Sequence, residues 1–149
     1  MANTIVVGID GTSAARMALD KAVSLADGVE DAKIVLVSTH DRPPDFSNHT
    51  FMGARVAVPD WPAQWTREVE AEMEHLLKRV RLAGIDASCV YTRDDPVDLV
   101  LNVARDTRAA TIVVPDDRMG FLSDLVLRST TRRLLRRRTG IPVVVVSDR

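Results

Sequence analysis

The sequence predicts an α/β fold, a three-layer sandwich in which helices cover both faces of an open, parallel, five-stranded sheet. Two observations predict it. Five short runs are predicted as strands, and those at residues 5–9 and 34–37 carry no polar alternation, which is typical of strands buried on both faces. Segments with helical periodicity separate these runs, so the strands pair in parallel through right-handed crossovers. A length of 149 residues fits one domain, spanning residues 1–149.

The first strand and the first helix meet at a short turn. Residues 5–9 form the first buried run, which ends at Asp10. Thr12 or Ser13 is suited to cap the helix that follows, and Asp27-Gly28 ends its pattern. The residues that we expect on the buried stripe of this helix are Ala14, Met17, Ala18, Lys21, Ala22 and Leu25.

An irregular segment, Asp41 to Gln64, follows the second strand at residues 34–37. Structureless loops of this length are uncommon in compact domains and are usually functional lids or disordered. Trp61 and Trp65 flank its end, where they either anchor the loop on the core or stack on a ligand base. The second helix begins near Trp65, ends before Gly84 at the C′ position, and buries Val69, Met73, Leu76, Leu77 and Val80.

The remaining elements follow the same alternation. Residues 85–91 form the third strand, and Asp95 caps a helix that has Pro96 at N1 and Asp98 at N3. Its buried stripe consists of Leu99, Val100 and Val103. Residues 111–114 form the fourth strand, a helix runs from about Ser123 to Arg138, and residues 143–146 form the fifth strand.

The amino-acid composition of the chain excludes several kinds of protein and site. Twenty Lys and Arg residues against 21 Asp and Glu give a net charge of −1, which excludes a uniformly basic nucleic-acid coat. A single cysteine, Cys89, excludes an intrachain disulfide and a multi-cysteine zinc site. The apolar runs are far shorter than the roughly 18–20 residues that span a bilayer, and no signal peptide precedes the first strand. We therefore expect a soluble, cytoplasmic protein that does not contact membranes.

The sequence resembles the universal stress protein family over essentially its whole length. The resemblance rests on IVVGIDGT at residues 5–12, on DDP at residues 94–96 and, most strongly, on Thr111 to Val146. The last stretch contains IVV at 112–114, LSDLVLRS at 122–129 and IPVVVV at 141–146. This resemblance implies a flavodoxin-like, adenine nucleotide alpha hydrolase-like sheet of strand order 3-2-1-4-5.

With that strand order, a ligand crevice lies between strands one and four, beyond their carboxyl ends. The residues that leave these strands are Asp10-Gly11-Thr12 and Pro115-Asp116-Asp117-Arg118. The Asp10 carboxylate can accept hydrogen bonds from a base or a ribose, and the resemblance implies that it contacts adenosine. It can equally cap the turn between strand and helix. The sequence leaves both interpretations open.

The resemblance also implies a phosphate loop, G-x-x-G, nine residues, then G-[S/T], in the members that bind ATP. Aligned on Ser129, its three glycine positions fall at Pro115, Arg118 and Arg128, so every glycine is replaced. Asp94 stands at a further position that is usually glycine. Proline removes a backbone donor, and bulky side chains obstruct the close approach of the backbone to phosphate. We therefore expect weak or absent ATP binding and no other cofactor.

Two alternatives keep the arginines functional. Arg118 and Arg128 can grip phosphate through their side chains, in which case the nucleotide contacts are Asp10, Gly11, Thr12, Thr39, Val114, Pro115, Arg118, Arg128 and Ser129. Otherwise one of these arginines folds into the crevice and pairs with Asp10, Asp94 or Asp116, since buried charges need partners.

The last helix carries a ladder of arginines. Arg128, Arg132 and Arg136 recur at i, i+4, and Arg133 and Arg137 adjoin them. One interpretation is a solvated face opposite acidic neighbours. Another is a surface for an acidic protein partner or an anionic surface at Arg128, Arg132 and Arg136. Nucleic acid is the least favoured partner, because no base-reading motif or stacking aromatic accompanies the arginines.

Sequence motifs for catalysis are lacking. The three histidines show no metal-ligand spacing, no nucleophile adjoins a base, and no G-x-S-x-G elbow occurs. The fifth strand, Val143, Val144, Val145 and Val146, is apolar on both faces and predicted at a sheet edge. Antiparallel pairing with its own copy, common in the resembled family, would cover it. We therefore expect a non-catalytic, homodimeric stress-response or interaction module. An ATP-binding protein is the second hypothesis and a weak nucleotide hydrolase the third.

Overall fold

The structure is a computed structural model that describes residues 3–39, 50–51, 54–55, 61–91, 95–116, 130–137 and 139–147. Strands and helices alternate along these ranges, as predicted. The elements are β1 Thr4–Ile9, α1 Ser13–Ala26, β2 Lys33–Ser38, β3 Thr50–Phe51, β4 Ala54–Arg55, α2 Trp61–Leu82, β5 Asp86–Val90, α3 Pro96–Asp106, β6 Thr111–Pro115, α4 Thr130–Leu135 and β7 Val143–Val146.

The main sheet has the order β5-β2-β1-β6-β7, and all of its pairings are parallel. Numbered among themselves, these five strands have the predicted order 3-2-1-4-5. The register places Ile9 beside Ser38 and Val7 beside Val113, so the carboxyl ends of β2, β1 and β6 lie next to one another. This arrangement confirms the predicted three-layer fold.

The two faces of the sheet each bury a separate core, because alternate residues of a strand point to opposite sides. Ile5, Val7 and Ile9 of β1 pack with α1 and α2, together with Leu36 and Met73. On the other face Val6 packs with α3 and α4, in a cluster that includes Val35, Val37, Val100, Ile112 and Leu134. Burial on both faces explains why β1 and β6 are almost entirely apolar, whereas the edge strand β5 carries Asp86 and Ser88 at exposed positions.

The buried stripe of α1 differs from the prediction. Met17 and Leu25 are 41% and 39% exposed, and Lys21 is exposed as well. The buried residues of α1 are Ala14, Ala15, Ala18, Leu19, Ala22 and Ala26. Two overlapping stripes have helical spacing in this segment, and the stripe that contains Leu19 is the one that lies on the sheet. Its alanines permit a close approach of helix and sheet.

The segment predicted as irregular contains regular structure at both positions where it is described. β3 and β4 pair antiparallel, with Thr50 beside Arg55. The helix α2 begins at Trp61, so the predictions of a helix start near Trp65 and of a loop reaching Gln64 were wrong. Pro62 occupies the first turn of α2, where a proline costs no intrahelical hydrogen bond. The rest of the segment and the side chains of Trp61 and Trp65 lie outside the described residues.

The other helix boundaries agree better with the sequence. Thr12 caps α1 by accepting a hydrogen bond from Ala15 N at 3.2 Å, and Asp95 caps α3 by accepting one from Asp98 N at 3.2 Å. Gly84 follows α2 with a φ of +82°, the left-handed conformation expected of a C′ glycine. Of the predicted last helix the structure describes Thr130–Leu135 as helical; the predicted start at Ser123 and end at Arg138 lie outside the described ranges.

The helices described by the structure include none that is long and apolar enough to cross a membrane.

Candidate functional site

The predicted nucleotide-binding residues that the structure describes lie at one edge of the sheet, the one formed by the carboxyl ends of its strands. Asp10 follows β1, Thr39 follows β2, and Pro115 is the last residue of β6. Thr39 N donates to Ile9 O at 2.7 Å, which holds the ends of β1 and β2 together. Gly11, Thr12 and Val114 lie at the same edge. The predicted residues Arg118, Arg128 and Ser129 lie outside the described residues, as does Asp94.

Asp10 organises the turn between β1 and α1. Its Oδ1 accepts hydrogen bonds from Thr12 N at 3.0 Å and from Thr12 Oγ1 at 2.5 Å. Thr12 Oγ1 in turn accepts from Ala15 N, so the Asp10 carboxylate is linked through Thr12 to the first turn of α1. Gly11, between them, adopts a φ of +85°, which favours glycine. The cap of α1 is therefore Thr12, and Asp10 supports it through Oδ1 while holding its carboxylate at the end of β1.

The side chains of Val114 and Thr39 pack closely against Gly8 near this edge. A Cβ at Gly8 would lie 3.2 Å from Val114 Cγ1 and 3.4 Å from Thr39 Cγ2. Val114 and Thr39 are themselves buried, with exposures of 1% and 7%. Gly8 was not among the predicted site residues. A glycine inside an otherwise apolar strand is the signal that marks such a close approach.

Pro115 ends β6 in a buried position beside Val146. Proline has no N–H, so this residue offers no backbone donor to an anion at the edge of the sheet. The next residue, Asp116, uses its own N–H to bond Val146 O at 2.8 Å. The first position of the implied phosphate loop, Pro115, is thus part of the sheet, and the acidic residue Asp116 follows it. Of the residues of this loop that the structure describes, Pro115 has no N–H and the Asp116 N–H is engaged, so neither offers phosphate a free backbone donor.

Two ion pairs join the cap and the first turn of α3 to α4 and the residues that follow it. Arg133 Nη2 lies 2.9 Å from Asp95 Oδ1, and Arg137 Nη2 lies 3.6 Å from Asp98 Oδ1. Partial burial raises the pKa of Asp95. The hydrogen bonds from Arg133 and from Asp98 N, together with the positive charge of Arg133, lower this pKa by a larger amount, so the net pKa is below its ordinary value. These pairs confirm that part of the arginine ladder faces acidic neighbours. Asp95 is the cap that its sequence context predicts, whereas its pairing with Arg133 was not predicted.

The groups on and beside β5 show no activated nucleophile. Burial and the nearby charge of Glu74 raise the pKa of the Cys89 thiol, against a smaller lowering by Arg81. A raised pKa keeps the thiol protonated and poorly reactive. The pKa of Tyr91 is also raised, by desolvation and by its interaction with Glu70. Within the described ranges, no group of three or more His, Cys, Asp or Glu side chains is arranged to hold a metal ion.

Comparison with protein families decides the identity. The family model described as the universal stress protein family matches residues 1–147. The chain belongs to this family. Among characterised relatives, the universal stress protein YxiE of Bacillus subtilis is 27% identical over 151 residues, covering 98% of this chain and 99% of YxiE.

Solved structures of universal stress proteins share the fold. One, a universal stress protein in complex with cAMP, superposes with a TM-score of 0.70 at 20% identity, covering 98% of this chain and 97% of that one. Another, the universal stress protein of Archaeoglobus fulgidus in complex with dAMP, has a TM-score of 0.63 at 15% identity and covers 98% of both chains. At these identities the likeness shows the fold: the flavodoxin-like sheet of order 3-2-1-4-5 is the one that universal stress proteins possess.

Proposed function

We propose that this universal stress protein is a non-catalytic, homodimeric stress-response or interaction module of the cytoplasm that binds adenine nucleotides weakly or not at all. The observation that carries the proposal is Pro115. It occupies the first glycine position of the nucleotide loop, it is buried in β6, and it has no N–H to give to phosphate. The sequence replaces the other two glycines by Arg118 and Arg128.

The state of Asp10 supports the same proposal. Its Oδ1 already accepts two hydrogen bonds from Thr12, so one oxygen of the carboxylate implied to contact adenosine is engaged within the chain. An adenosine would have to bond the remaining oxygen. Recognition of the nucleoside would therefore rest on fewer contacts than a fully available carboxylate provides.

The alternative function is nucleotide binding through arginine side chains. Two universal stress proteins of this fold have been solved in complex with cAMP and with dAMP, which supports this alternative. Guanidinium groups at Arg118 and Arg128 can replace backbone donors as phosphate ligands, because a guanidinium binds phosphate in a bidentate manner. This alternative predicts that affinity depends on those two side chains.

Titration calorimetry with ATP and magnesium tests the proposal and separates the alternative from it. We expect the natural protein to show no saturable heat at micromolar ATP. The variant Pro115→Gly/Arg118→Gly/Arg128→Gly restores the glycine pattern, and we expect it to bind ATP at least about tenfold more tightly. Tight binding by the natural protein, lost in Arg118→Ala/Arg128→Ala, would instead establish the arginine-based alternative.

The outermost strand β7 has an unpaired side that supports a dimer through this strand. The N–H groups of Ile112 and Asp116 bond the carbonyls of Pro142 and Val146, so these carbonyls face β6. Because strand residues direct their backbone groups to alternate sides, those of Val143 and Val145 face away from β6. The Val145 side chain is 39% exposed, and the strand carries no charge. Such an edge is suited to antiparallel pairing with a second copy.

The opposite edge, β5, is protected against such pairing. Arg81 Nη2 donates to Ala87 O at 3.0 Å, which occupies an acceptor of this strand. Asp86, at the start of β5, places a charged side chain, 71% exposed, on the same strand. Charges and engaged carbonyls discourage the addition of a strand. The contrast between the edges explains why we assign the homodimer interface to residues Val143, Val144, Val145 and Val146.

A further inference from the structure

One row of residues along α1 is partly apolar but lies outside the core of its own chain. Met17 and Leu25 are both exposed, and so is Lys21, midway between them. The three residues are spaced four positions apart, so they share one side of the helix. They belong to the stripe that periodicity predicts as buried, yet the stripe that contains Leu19 covers the sheet. The described fold of one chain leaves this row, here called the α1 flank, exposed although two of its residues are apolar.

The α1 flank faces the β7 side of the sheet. The helix α1 lies over β1, β6 and β7, whereas α2 lies over β2 and β5. Asp20 of α1 pairs with Arg79 of α2 at 2.6 Å, and Val23 packs into the core that the two helices share. With a rotation of about 100° per residue, Val23 lies about 60° from Asp20 in one direction and Lys21 about 100° from it in the other. The α1 flank therefore faces away from α2.

The strand beside this flank is apolar and incompletely covered. Val144 and Val146 of β7 point to the same face as α1 and pack at the margin of its core. Both are only partly buried, whereas Leu36, on the same face of β2, is completely buried. A helix about 10 Å wide covers about two strands at a spacing of about 4.8 Å, so α1 does not reach past β7. Of the other described helices, α2 lies on the far side of α1, and α3 and α4 pack on the opposite face.

We infer that the α1 flank packs over β7 of a second copy of this chain. Antiparallel pairing of two β7 strands about a twofold axis perpendicular to the sheet leaves α1 of both copies on the same face. Val144 and Val146 of the second copy then lie about 4.8 Å beyond β7. Met17 and Leu25 extend over β7 towards that position, and the stem of Lys21 lies between them with its ammonium group in solvent. The inference rests on the dimer part of the proposed function and adds a second layer to that interface.

The chemistry of the α1 flank favours a second copy as its occupant. The flank offers two apolar side chains and a single cation, so apolar surface is what a partner has to supply. Association about a twofold axis supplies it, because the same row of the second copy lies across the paired strands. The flank is also continuous with the uncharged strand β7, so a single partner covers both.

Sedimentation velocity over a range of concentrations tests the inference. Each substitution removes two buried side chains per dimer. We therefore expect Leu25→Ser to raise the dissociation constant of the dimer at least about fivefold, and Met17→Ser/Leu25→Ser at least about thirtyfold. Leu82→Ser is the matched control, because Leu82 ends α2, is 89% exposed and belongs to the helix over the opposite half of the sheet. It should leave the constant unchanged. Thermal melts verify that each variant is folded.

Oxidation of Met17 measures coverage of the α1 flank without changing it. Hydrogen peroxide converts accessible methionine thioethers to sulfoxides, and peptide mass spectrometry follows each site separately. We expect Met17 of the dimeric natural protein to oxidise at least about threefold more slowly than Met17 of a Val145→Lys monomer. Met73, which is completely buried in the core, is the internal reference and should be slow in both proteins.

The outcomes distinguish this inference from the proposed function. A natural protein that is monomeric at micromolar concentration would refute the proposed dimer. A dimer that Met17→Ser/Leu25→Ser leaves intact, or that Leu82→Ser weakens as much as Leu25→Ser does, would overturn the inference and leave pairing through β7 standing. Equal oxidation of Met17 in dimer and monomer would overturn it as well, since the second copy would then not cover the α1 flank.

Discussion

Arg133 donates a hydrogen bond to Asp95 Oδ1 across 2.9 Å, although 38 positions separate the two residues. The other oxygen of the same carboxylate accepts the hydrogen bond from Asp98 N that caps α3. One carboxylate thus begins a helix and ties it to α4. Because α4 follows the loop implied to contact nucleotide, this link fixes where that loop rejoins the core.

The double role of Asp95 predicts different costs for two substitutions. Asp95→Ala removes both the cap and the ion pair and should lower the free energy of unfolding by about 1–2 kcal/mol. Asp95→Asn keeps a good capping side chain and should cost less than about 1 kcal/mol. Urea unfolding measures both. Asp86→Ala, whose carboxylate is 71% exposed and 4.0 Å from Lys33, is the control and should cost under about 0.5 kcal/mol. Equal costs for Ala and Asn at position 95 would contradict the capping role.

The lowered pKa of Asp95 predicts how its contribution depends on pH. A carboxyl group whose pKa is lower in the folded state than its ordinary value of 3.8 stabilises the fold above that value. The stabilisation is lost as the pH falls below 3.8 through the folded-state pKa, because the protonated form no longer pairs with Arg133. We expect the stability difference between the natural protein and Asp95→Asn to be constant from neutral pH to about pH 5 and to shrink below 3.8. A difference that grows on acidification would refute this assignment.

Gly8 is predicted to tolerate no side chain without a cost. A methyl group there would lie 3.2 Å from Val114 Cγ1, so Val114 must shift, and 3.4 Å from Thr39 Cγ2, an ordinary contact. Gly8→Ala should lower the free energy of unfolding by about 1–2 kcal/mol, and Gly8→Val by more. Chemical denaturation measures the effect, with Ser24→Ala at an exposed position of α1 as a control expected within about 0.5 kcal/mol. A stabilised Gly8→Ala would show that the packing around Gly8 is loose.

The assignment of the dimer to β7 is tested by a charge at each sheet edge. Val145→Lys should convert a dimer to a monomer in sedimentation experiments at micromolar concentration, because the charge would be buried against the second copy. Ser88→Lys places the same charge on the exposed side of β5 and should leave the dimer intact. A natural protein that sediments as a monomer, or a dimer lost only in Ser88→Lys, would refute the interface.

Cys89 is predicted to react slowly. Its pKa is raised above 9.0, so less than about a tenth of the thiol is ionised at pH 8. Iodoacetamide should alkylate it more slowly than an unfolded peptide that contains the same residue. Glu74→Gln removes a charge that raises this pKa and should speed the reaction, while unfolding in urea should abolish the difference. Alkylation of the folded protein faster than the peptide would indicate an activated thiol.

Local chemistry explains the successes of the sequence analysis. Apolar runs identified the strands β1, β2, β6 and β7 of the main sheet, and the capping residues Thr12 and Asp95 marked the starts of their helices. These features depend on residues within a few positions of one another, so the sequence contains the information directly. The placement of Asp10, Thr39 and Pro115 at neighbouring carboxyl ends of the sheet followed once the family resemblance supplied the strand order.

The tertiary structure alone decided which surfaces meet. The sequence offered two overlapping stripes for α1, and contact with the sheet selected the one that contains Leu19. It identified the arginines of the last helix, but the packing of α4 beside α3 determined that Arg133 pairs with Asp95 and Arg137 with Asp98. Periodicity specifies how a helix is amphipathic; the rotation of that helix against its neighbours is set by the fit of side chains distant in the chain.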